Sequence, residues 1–251
     1  MKRKLVAILA CRNGGSRLYA KPLQNLDQKK NISIIQFLIN TLKKNKSIKE
    51  IGLAISKNEE NIVYKKIARY NKIKFVLGDD KDVLNRLIKC AKKLNATDIL
   101  RVTSESPFPY LERLSEIWKN HLLGNYDATF LDNIVDGCGY EIIKLDSLKI
   151  SHKKGKTKHR SELCTLYLRE NYKKFKINRI FPNKKYFRKD LRLTVDNPED
   201  LIICKKIYKN IKNKFKLNEA IQFLDKNPNL KKLTAKYCDK GYSDMYKWGI
   251  K

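Results

Sequence analysis

The sequence predicts an α/β fold: a mainly parallel central sheet flanked by helices. Three observations carry this prediction. Leu5-Val6-Ala7-Ile8-Leu9-Ala10 and Ile51-Gly52-Leu53-Ala54-Ile55 are apolar without alternation, as expected of strands covered on both faces. Stretches with helical spacing lie between such runs, the alternation that builds βαβ units. Across 251 residues there is no internal repeat and no Pro/Ser/Gly-rich linker, which suits one α/β domain of ordinary size.

The elements follow in order. The first strand, Leu5 to Ala10, runs into a Gly-containing loop. Ser33 to Leu42 has helical periodicity, with Ser33 as its N-cap. After the second strand, 51–55, come a helix over 58–71 and a short strand at 74–77 before Gly78. A helix over 82–94 precedes a fourth strand at 98–102, and another helix covers 111–122. Beyond Asp127 the pattern loosens. Strands are expected at 128–131 and 140–143, a polar Lys-rich loop at 151–159, and a strand at 191–195. Pro198 opens a helix to about Lys209, a residue suited to a first turn. One domain over 1–251 is expected: a nucleotide-binding half (1–110), an acceptor-binding half (111–205) and a helical, aromatic tail (206–251).

Composition excludes several classes. With 42% hydrophobic residues the chain is globular, neither disordered nor membranous. No apolar run approaches the roughly 20 residues that span a bilayer, and Met1-Lys2-Arg3-Lys4 with a short apolar run lacks a signal-peptide cleavage site; a cytoplasmic protein is expected. Six cysteines are scattered without a C-x-x-C pair, which argues for buried or half-buried thiols over a zinc site or disulfide framework. The net charge of +30 attracts polyanions. Its excess is mostly Lys, spread from Lys2 to Lys251 and interleaved with Asn and Ile, where a nucleic-acid surface would concentrate the charge on one segment. A Lys-rich surface containing one functional anion site is therefore the expectation. A non-enzymatic nucleic-acid-binding protein is the alternative.

That anion site is assigned to Ala10-Cys11-Arg12-Asn13-Gly14-Gly15-Ser16-Arg17-Leu18, followed by Lys21-Pro22-Leu23. It leaves the first strand where a doubly wound sheet places its ligand. The glycines let backbone amides approach a phosphate and form an anion-binding nest. Arg12, Arg17 and Lys21 bring positive charge to a triphosphate and to the charge developing during transfer. The pattern is neither G-x-G-x-x-G nor G-x-x-x-x-G-K-S, which excludes the dinucleotide and P-loop motifs.

A strand leading into A-C-R-x-x-x-S-R-L-x-x-K-P-L resembles the signature loop of the cytidylyltransferase family, which includes CMP-KDO synthetase, CMP-acylneuraminate synthetases and the spore-coat polysaccharide protein SpsF. Three more segments follow in the family's order. Gly78 to Arg86 (GDDKDVLNR) resembles G-x-x-x-D-V-L-x-R. Arg101 to Pro107 (RVTSESP) resembles R-x-T-G-D-x-P. Leu191 to Leu201 (LRLTVDNPEDL) resembles R-L-T-V-D-x-P-E-D-L.

The resemblance implies a Rossmann-like nucleotidyltransferase fold with CTP, or another NTP, over the strand C-termini. It implies Arg12, Ser16, Arg17 and Lys21 at the triphosphate and Ala10, Cys11, Asn13, Gly14, Gly15, Ser56, Asp82, Arg86, Arg101, Thr103 and Ser104 around the nucleotide. Glu105 and Asp196 fall at the family's metal-binding positions, and Mg2+ agrees with that pairing, since it takes one or two carboxylates plus substrate phosphates. Two positions depart from the pattern: Glu105 replaces an Asp, and Ser104 a Gly. The acceptor, a sugar, sugar acid or phosphorylated compound, is assigned to Glu141, His159 and Arg160. The SpsF-like R-E-H-V-T segment is matched here only at Arg160. Tyr237, Tyr242, Tyr246 and Trp248 in the tail suggest packing on the domain or on a second subunit, and a homodimer is expected.

Overall fold

The computed structural model describes residues 3–15, 17–211 and 214–238. The chain begins with β1 (Leu5–Cys11), a small antiparallel hairpin of β2 (Asn25–Asp27) and β3 (Ile32–Ser33), α1 (Ile34–Lys43) and β4 (Glu50–Ser56). Next come α2 (Ile62–Tyr70), β5 (Lys74–Gly78), α3 (Val83–Lys93), β6 (Asp98–Arg101) and α4 (Leu114–Leu123). The second half adds β7 (Ala128–Leu131), β8 (Glu141–Lys144), α5 (Leu145–Lys154), α6 (Thr157–Arg160), α7 (Leu166–Glu170) and β9 (Ile177–Ile180). Three helices close the described chain: α8 (Pro198–Asn210), α9 (Leu217–Asp225) and α10 (Pro228–Cys238).

The strands form a seven-stranded sheet in the order β5-β4-β1-β6-β8-β7-β9. β5, β4, β1 and β6 are parallel neighbours, β8 is antiparallel to both β6 and β7, and β7 pairs parallel with β9. From β1 the chain steps outward to β4 and β5, then returns to β6 on the other side of β1. That reversal leaves a crevice beyond the C-terminal ends of β1 and β6, where open α/β sheets bind ligands.

Both faces of the sheet are covered, which explains the unbroken apolar runs. Leu5, Ala7, Leu9 and Cys11 pack into one layer with α1, α2, α4, α8 and α9. Val6 and Ile8 point into the opposite layer with α3, α5 and α7. Ser33 caps α1 as expected, its hydroxyl accepting from the Gln36 amide at 3.3 Å. The helix expected from residue 58 starts as a 3-10 turn at Glu59–Asn61 and becomes α-helical at Ile62.

Two expectations are corrected. The loop expected at 151–159 is instead the end of α5, a link at Gly155 and Lys156, and most of α6. Leu145, Leu148 and Ser151 recur at helical spacing on the buried face, but serines occupy two of its buried sites. The Ser151 hydroxyl satisfies itself on the Ser147 carbonyl at 2.9 Å, so a buried helix face carried too few apolar side chains to register as one. The strand expected at 191–195 is an extended segment with a single bridge, Asp136 to Arg192. Its amides go to two loops: Leu193 donates to the Asp136 carbonyl at 2.7 Å and Val195 to the Glu105 carbonyl at 3.1 Å.

All six cysteines are free thiols, five buried and Cys238 half-buried. Among the described residues no helix is long and apolar enough to cross a membrane. Of the tail aromatics only Tyr237 is described, its hydroxyl donating to Glu199 at 3.3 Å; Tyr242, Tyr246 and Trp248 lie outside the described residues.

Candidate active site

The loop leaving β1 is held from three sides. The Ala10 carbonyl accepts the Ser104 hydroxyl at 2.8 Å, and the Cys11 carbonyl accepts Arg86 Nη1 at 3.3 Å. The Asn13 amide donates to Asn61 Oδ1 at 2.7 Å, its side-chain nitrogen donates to the Glu60 carbonyl, and its own carbonyl accepts from the Ala20 amide at 2.9 Å. Gly14 and Gly15 are exposed. At Gly15 a Cβ would lie 2.9 Å from the Leu18 carbonyl oxygen, so the close turn there needs glycine. Ser16 lies outside the described residues. Cys11 is fully buried, which pushes its thiol pKa up and leaves it protonated and unsuited to nucleophilic work.

The cations of the loop project toward carboxylates. Lys21 Nζ sits 2.5 Å from Asp196 Oδ1, and Arg17 Nη2 is 3.3 Å from the same oxygen. Arg192 reaches the other oxygen, Oδ2. One carboxylate therefore receives three cationic side chains. Burial pushes the Asp196 pKa up, but the contacts with Lys21, Arg192 and Arg17 more than offset this and hold it below the usual carboxylate range. Arg12 is exposed and faces Glu162 at 3.0 Å and Asp80 at 3.9 Å.

Glu105 stands beside this cluster because the Val195 amide bonds its carbonyl, one residue before Asp196. Its carboxylate accepts the Ser104 hydroxyl at 3.1 Å and makes no ion pair with any described residue. A hydroxyl chain from Thr103 to Ser106 (2.6 Å) to Thr194 (3.0 Å) pins the same two segments together. The backbone bond from Val195 to Glu105 ties the segments that carry Glu105 and Asp196 to each other. Among the described residues no three Asp, Glu, His or Cys side chains gather into a metal cage. An ion held by Glu105 and Asp196 would complete its shell with phosphates and water, which suits magnesium.

Other assigned residues are placed as follows. Arg86 is buried under the loop, with Nη1 also near the Ala54 carbonyl at 3.4 Å. Ser56, buried at the end of β4, has a hydroxyl with no hydrogen-bond partner among the described residues. Asp82 is an N-cap: one oxygen accepts the Asn85 amide at 2.9 Å and the other meets His152 at 2.8 Å. Arg101 turns toward Glu141 instead, with Nη1 2.8 Å from its carboxylate and Nη2 donating to the Glu162 carbonyl at 2.7 Å.

Glu141 is buried between Arg101 and Arg169 and accepts the Thr165 hydroxyl at 2.7 Å. Burial pushes its pKa up, but the two guanidiniums and these hydrogen bonds bring it down to about 2. Asp132 extends the cluster to Arg169 at 3.3 Å and Arg179 at 3.5 Å. His159 and Arg160 do not join it. Both His159 ring nitrogens are engaged, by the Lys156 amide at 2.7 Å and Glu170 at 2.7 Å, and Arg160 donates to the His152 carbonyl at 3.3 Å. Sequence reasoning missed Asp132, Asp136, Thr165, Arg169, Arg179 and Arg192. For Arg192 the signal was present, because it lies inside the fourth motif.

A family model described as Cytidylyltransferase matches residues 6–233. The spore coat polysaccharide biosynthesis protein SpsF of Bacillus subtilis is 22% identical over 232 residues, covering 90% of this chain and 95% of that protein. A solved cytidylyltransferase from Leptospira borgpetersenii serovar Hardjo-bovis, 23% identical, matches with a TM-score of 0.83 over 91% of this chain and 97% of its own. A solved CMP:2-keto-3-deoxy-manno-octonic acid synthetase complexed with CTP, 13% identical, matches with a TM-score of 0.58 over 82% of this chain and 99% of its own. These structural likenesses establish the shared fold.

Proposed function

The chain belongs to the cytidylyltransferase family and is a nucleotidyltransferase; from that premise we propose that it uses CTP and magnesium to activate a sugar, sugar acid or phosphorylated acceptor, with release of pyrophosphate. CTP as donor is supported by the nucleotide named with the 2-keto-3-deoxy-manno-octonic acid synthetase. The name of SpsF refers to spore coat polysaccharide biosynthesis, and we read the product here as a precursor of a surface polysaccharide or glycoconjugate. A cytoplasmic homodimer of one domain remains part of the proposal.

The observation that carries it is the convergence of Arg17, Lys21 and Arg192 on Asp196 at the crevice beyond β1 and β6. Arg192 is balanced by Asp136 and Asp200, but Arg17 and Lys21 share one oxygen of Asp196 and form no other ion pair among the described residues, so their charge is available to a triphosphate. In the reaction, an acceptor oxygen bonds to the α-phosphorus while the bond to the bridging oxygen breaks. Pyrophosphate leaves with that electron pair, and the proton of a hydroxyl acceptor passes to water. Arg12, Arg17 and Lys21 hold the β- and γ-phosphates and take up the charge that accumulates on them. Glu105 and Asp196 would hold magnesium, which when bound neutralises phosphate charge. The Arg101–Glu141–Arg169 cluster lies on the acceptor side, where Glu141 orients both guanidiniums. No protein nucleophile is needed, which agrees with the protonated, buried Cys11.

The test is pyrophosphate release with each of the four NTPs against a panel of sugar acids and sugar phosphates. Turnover is expected with CTP and magnesium and is abolished by EDTA. Equal turnover with all four NTPs, or release unaffected by EDTA, would remove the corresponding part of the proposal.

A further inference from the structure

Arg192 is 6% exposed and spends each of its three nitrogens on a different carboxylate: Nη1 on Asp136 at 2.5 Å, Nε on Asp200 at 3.2 Å, and Nη2 on Asp196 Oδ2. Asp200 is fully buried, and its second oxygen accepts the Asp196 amide at 3.0 Å, the Asn197 amide at 2.9 Å and the Asn197 side chain at 3.1 Å. Backbone and side chain of Asp196 are thus fixed by one connected set of groups. The far end of the set is also anchored, since the Leu193 amide bonds the Asp136 carbonyl at 2.7 Å.

The two oxygens of Asp196 have unlike partners. Oδ1 faces Lys21, 18% exposed, and Arg17, 57% exposed, both on the β1 loop. Those side chains are free to turn to an incoming phosphate. Oδ2 faces Arg192, which is buried and tied at its other two nitrogens, so it cannot follow a ligand. We infer that Arg192 is a positioning residue: it fixes Oδ2 in the protein and leaves Oδ1 as the one oxygen that Asp196 offers to a metal–triphosphate. A planar guanidinium with donors on three sides can hold three carboxylates at once, whereas an ammonium is a point charge without that fork. Outer groups that orient a metal ligand typically change metal affinity or activity about 10- to 100-fold when altered.

This inference rests on the reading of Asp196 as a metal ligand, and the experiment separates the two. Mn2+ is titrated, by its EPR signal, into wild type, Arg192→Lys, Asp136→Asn and Asp196→Asn in the presence of CTP. Melting temperatures are recorded alongside, and CTP binding in EDTA is measured as the metal-free reference. Arg192→Lys is expected to raise the Mn2+ concentration for half-saturation about 10- to 100-fold, with metal-free CTP binding changed much less because the β1 loop is intact. Its kcat should fall more than its KM for CTP rises. Asp136→Asn, which loosens the guanidinium from its far side, should shift Mn2+ binding in the same direction by a smaller factor, and decides the matter if Arg192→Lys fails to fold. Loss of Mn2+ binding in Asp196→Asn with wild-type binding in the Arg192 and Asp136 variants would overturn the inference alone. Wild-type binding in Asp196→Asn would overturn the metal reading and the inference with it.

Discussion

Replacing Lys21 by Met tests whether the β1 loop is a triphosphate site or one basic turn among many. Lys21 Nζ lies 2.5 Å from Asp196 Oδ1, and 18% of each side chain is exposed. A charge-assisted contact of this kind contributes about 1.5–3 kcal/mol, or roughly ten- to more than a hundred-fold in rate once it is made to a phosphate in the transition state. Arg17 supplies the sharper contrast. Its pair with Asp196 is longer, 3.3 Å, and the side chain is 57% exposed, so in the free protein it contributes at most about 1 kcal/mol. Arg17→Gln should therefore leave the melting temperature nearly unchanged while kcat/KM falls by the factor expected of a phosphate contact. Arg17→Lys should be impaired too, for want of a bidentate fork. The assay is pyrophosphate release from CTP with the best acceptor, beside thermal unfolding of each variant. Lys66 and Lys153 are exposed and form no ion pair with described residues, which makes them controls for the general field. Lys231 is unsuitable, because it bonds Asp190 at 2.8 Å and Asp225 at 3.2 Å. Lys21→Met should also move the acidic limb of the rate profile to higher pH, since Lys21 helps hold Asp196 ionised against the effect of burial. If Lys66→Met and Lys153→Met lose as much activity as Lys21→Met, long-range charge accounts for everything and the loop has no special part.

Glu141→Gln removes the charge between the buried Arg169 and the half-buried Arg101 and should cost about 3 kcal/mol in urea unfolding. With the folded carboxyl at about 2 against an ordinary value of about 4.3, its contribution is whole above the ordinary value and lost as pH falls toward 2. The gap between wild type and variant should then be flat from about pH 5 to 8 and close in acid; a gap that widens in acid contradicts this. Glu162→Gln should tighten CTP binding, because Glu162 occupies Arg12 at 3.0 Å. Both groups are well exposed, so calorimetry should show at most a few-fold gain, shrinking with added salt; weaker binding would contradict the competition. Gly137→Ala should lose at least about 1 kcal/mol, because Gly137 has φ +87° and an added Cβ would lie 2.3 Å from the Thr194 amide nitrogen. The same clash displaces the segment that ends in Asp196, so turnover should drop further than stability, and unchanged turnover would refute the coupling.

The sheet was legible because its central strands are buried on both faces. Leu5 to Ala10 and 51–55 had to be continuously apolar to serve two layers, and no surface requirement diluted the signal. Where polar side chains took buried positions the signal failed. Ser147 and Ser151 on α5 satisfy their hydroxyls locally, and a helix read as a loop. Around 191–195 the error ran the other way. Alternating Leu191, Leu193 and Val195 are buried like strand residues, but the Leu191 amide closes a local turn on Arg188 and the other two bond two loops instead of a ladder.

The site divides along the same physical line. Its proposed donor side is built from short consecutive segments at strand ends, where spacing alone brings side chains together: Arg17 and Lys21 share a loop, and Glu105 follows β6 closely. Such groupings appear as motifs. The proposed acceptor side is assembled from Arg101, Asp132, Glu141, Thr165, Arg169 and Arg179, which lie on or beside α7 and the neighbouring strands β6, β8, β7 and β9. One antiparallel strand, β8, reverses the order expected from a simple βαβ progression, so their proximity could not be counted off along the chain. His159, assigned to the acceptor from the sequence, has both its nitrogens claimed by Glu170 and the Lys156 amide. Arg192 shows the remaining limit. A motif position identified the segment, but only the three carboxylates around one guanidinium reveal why an arginine stands four residues before Asp196.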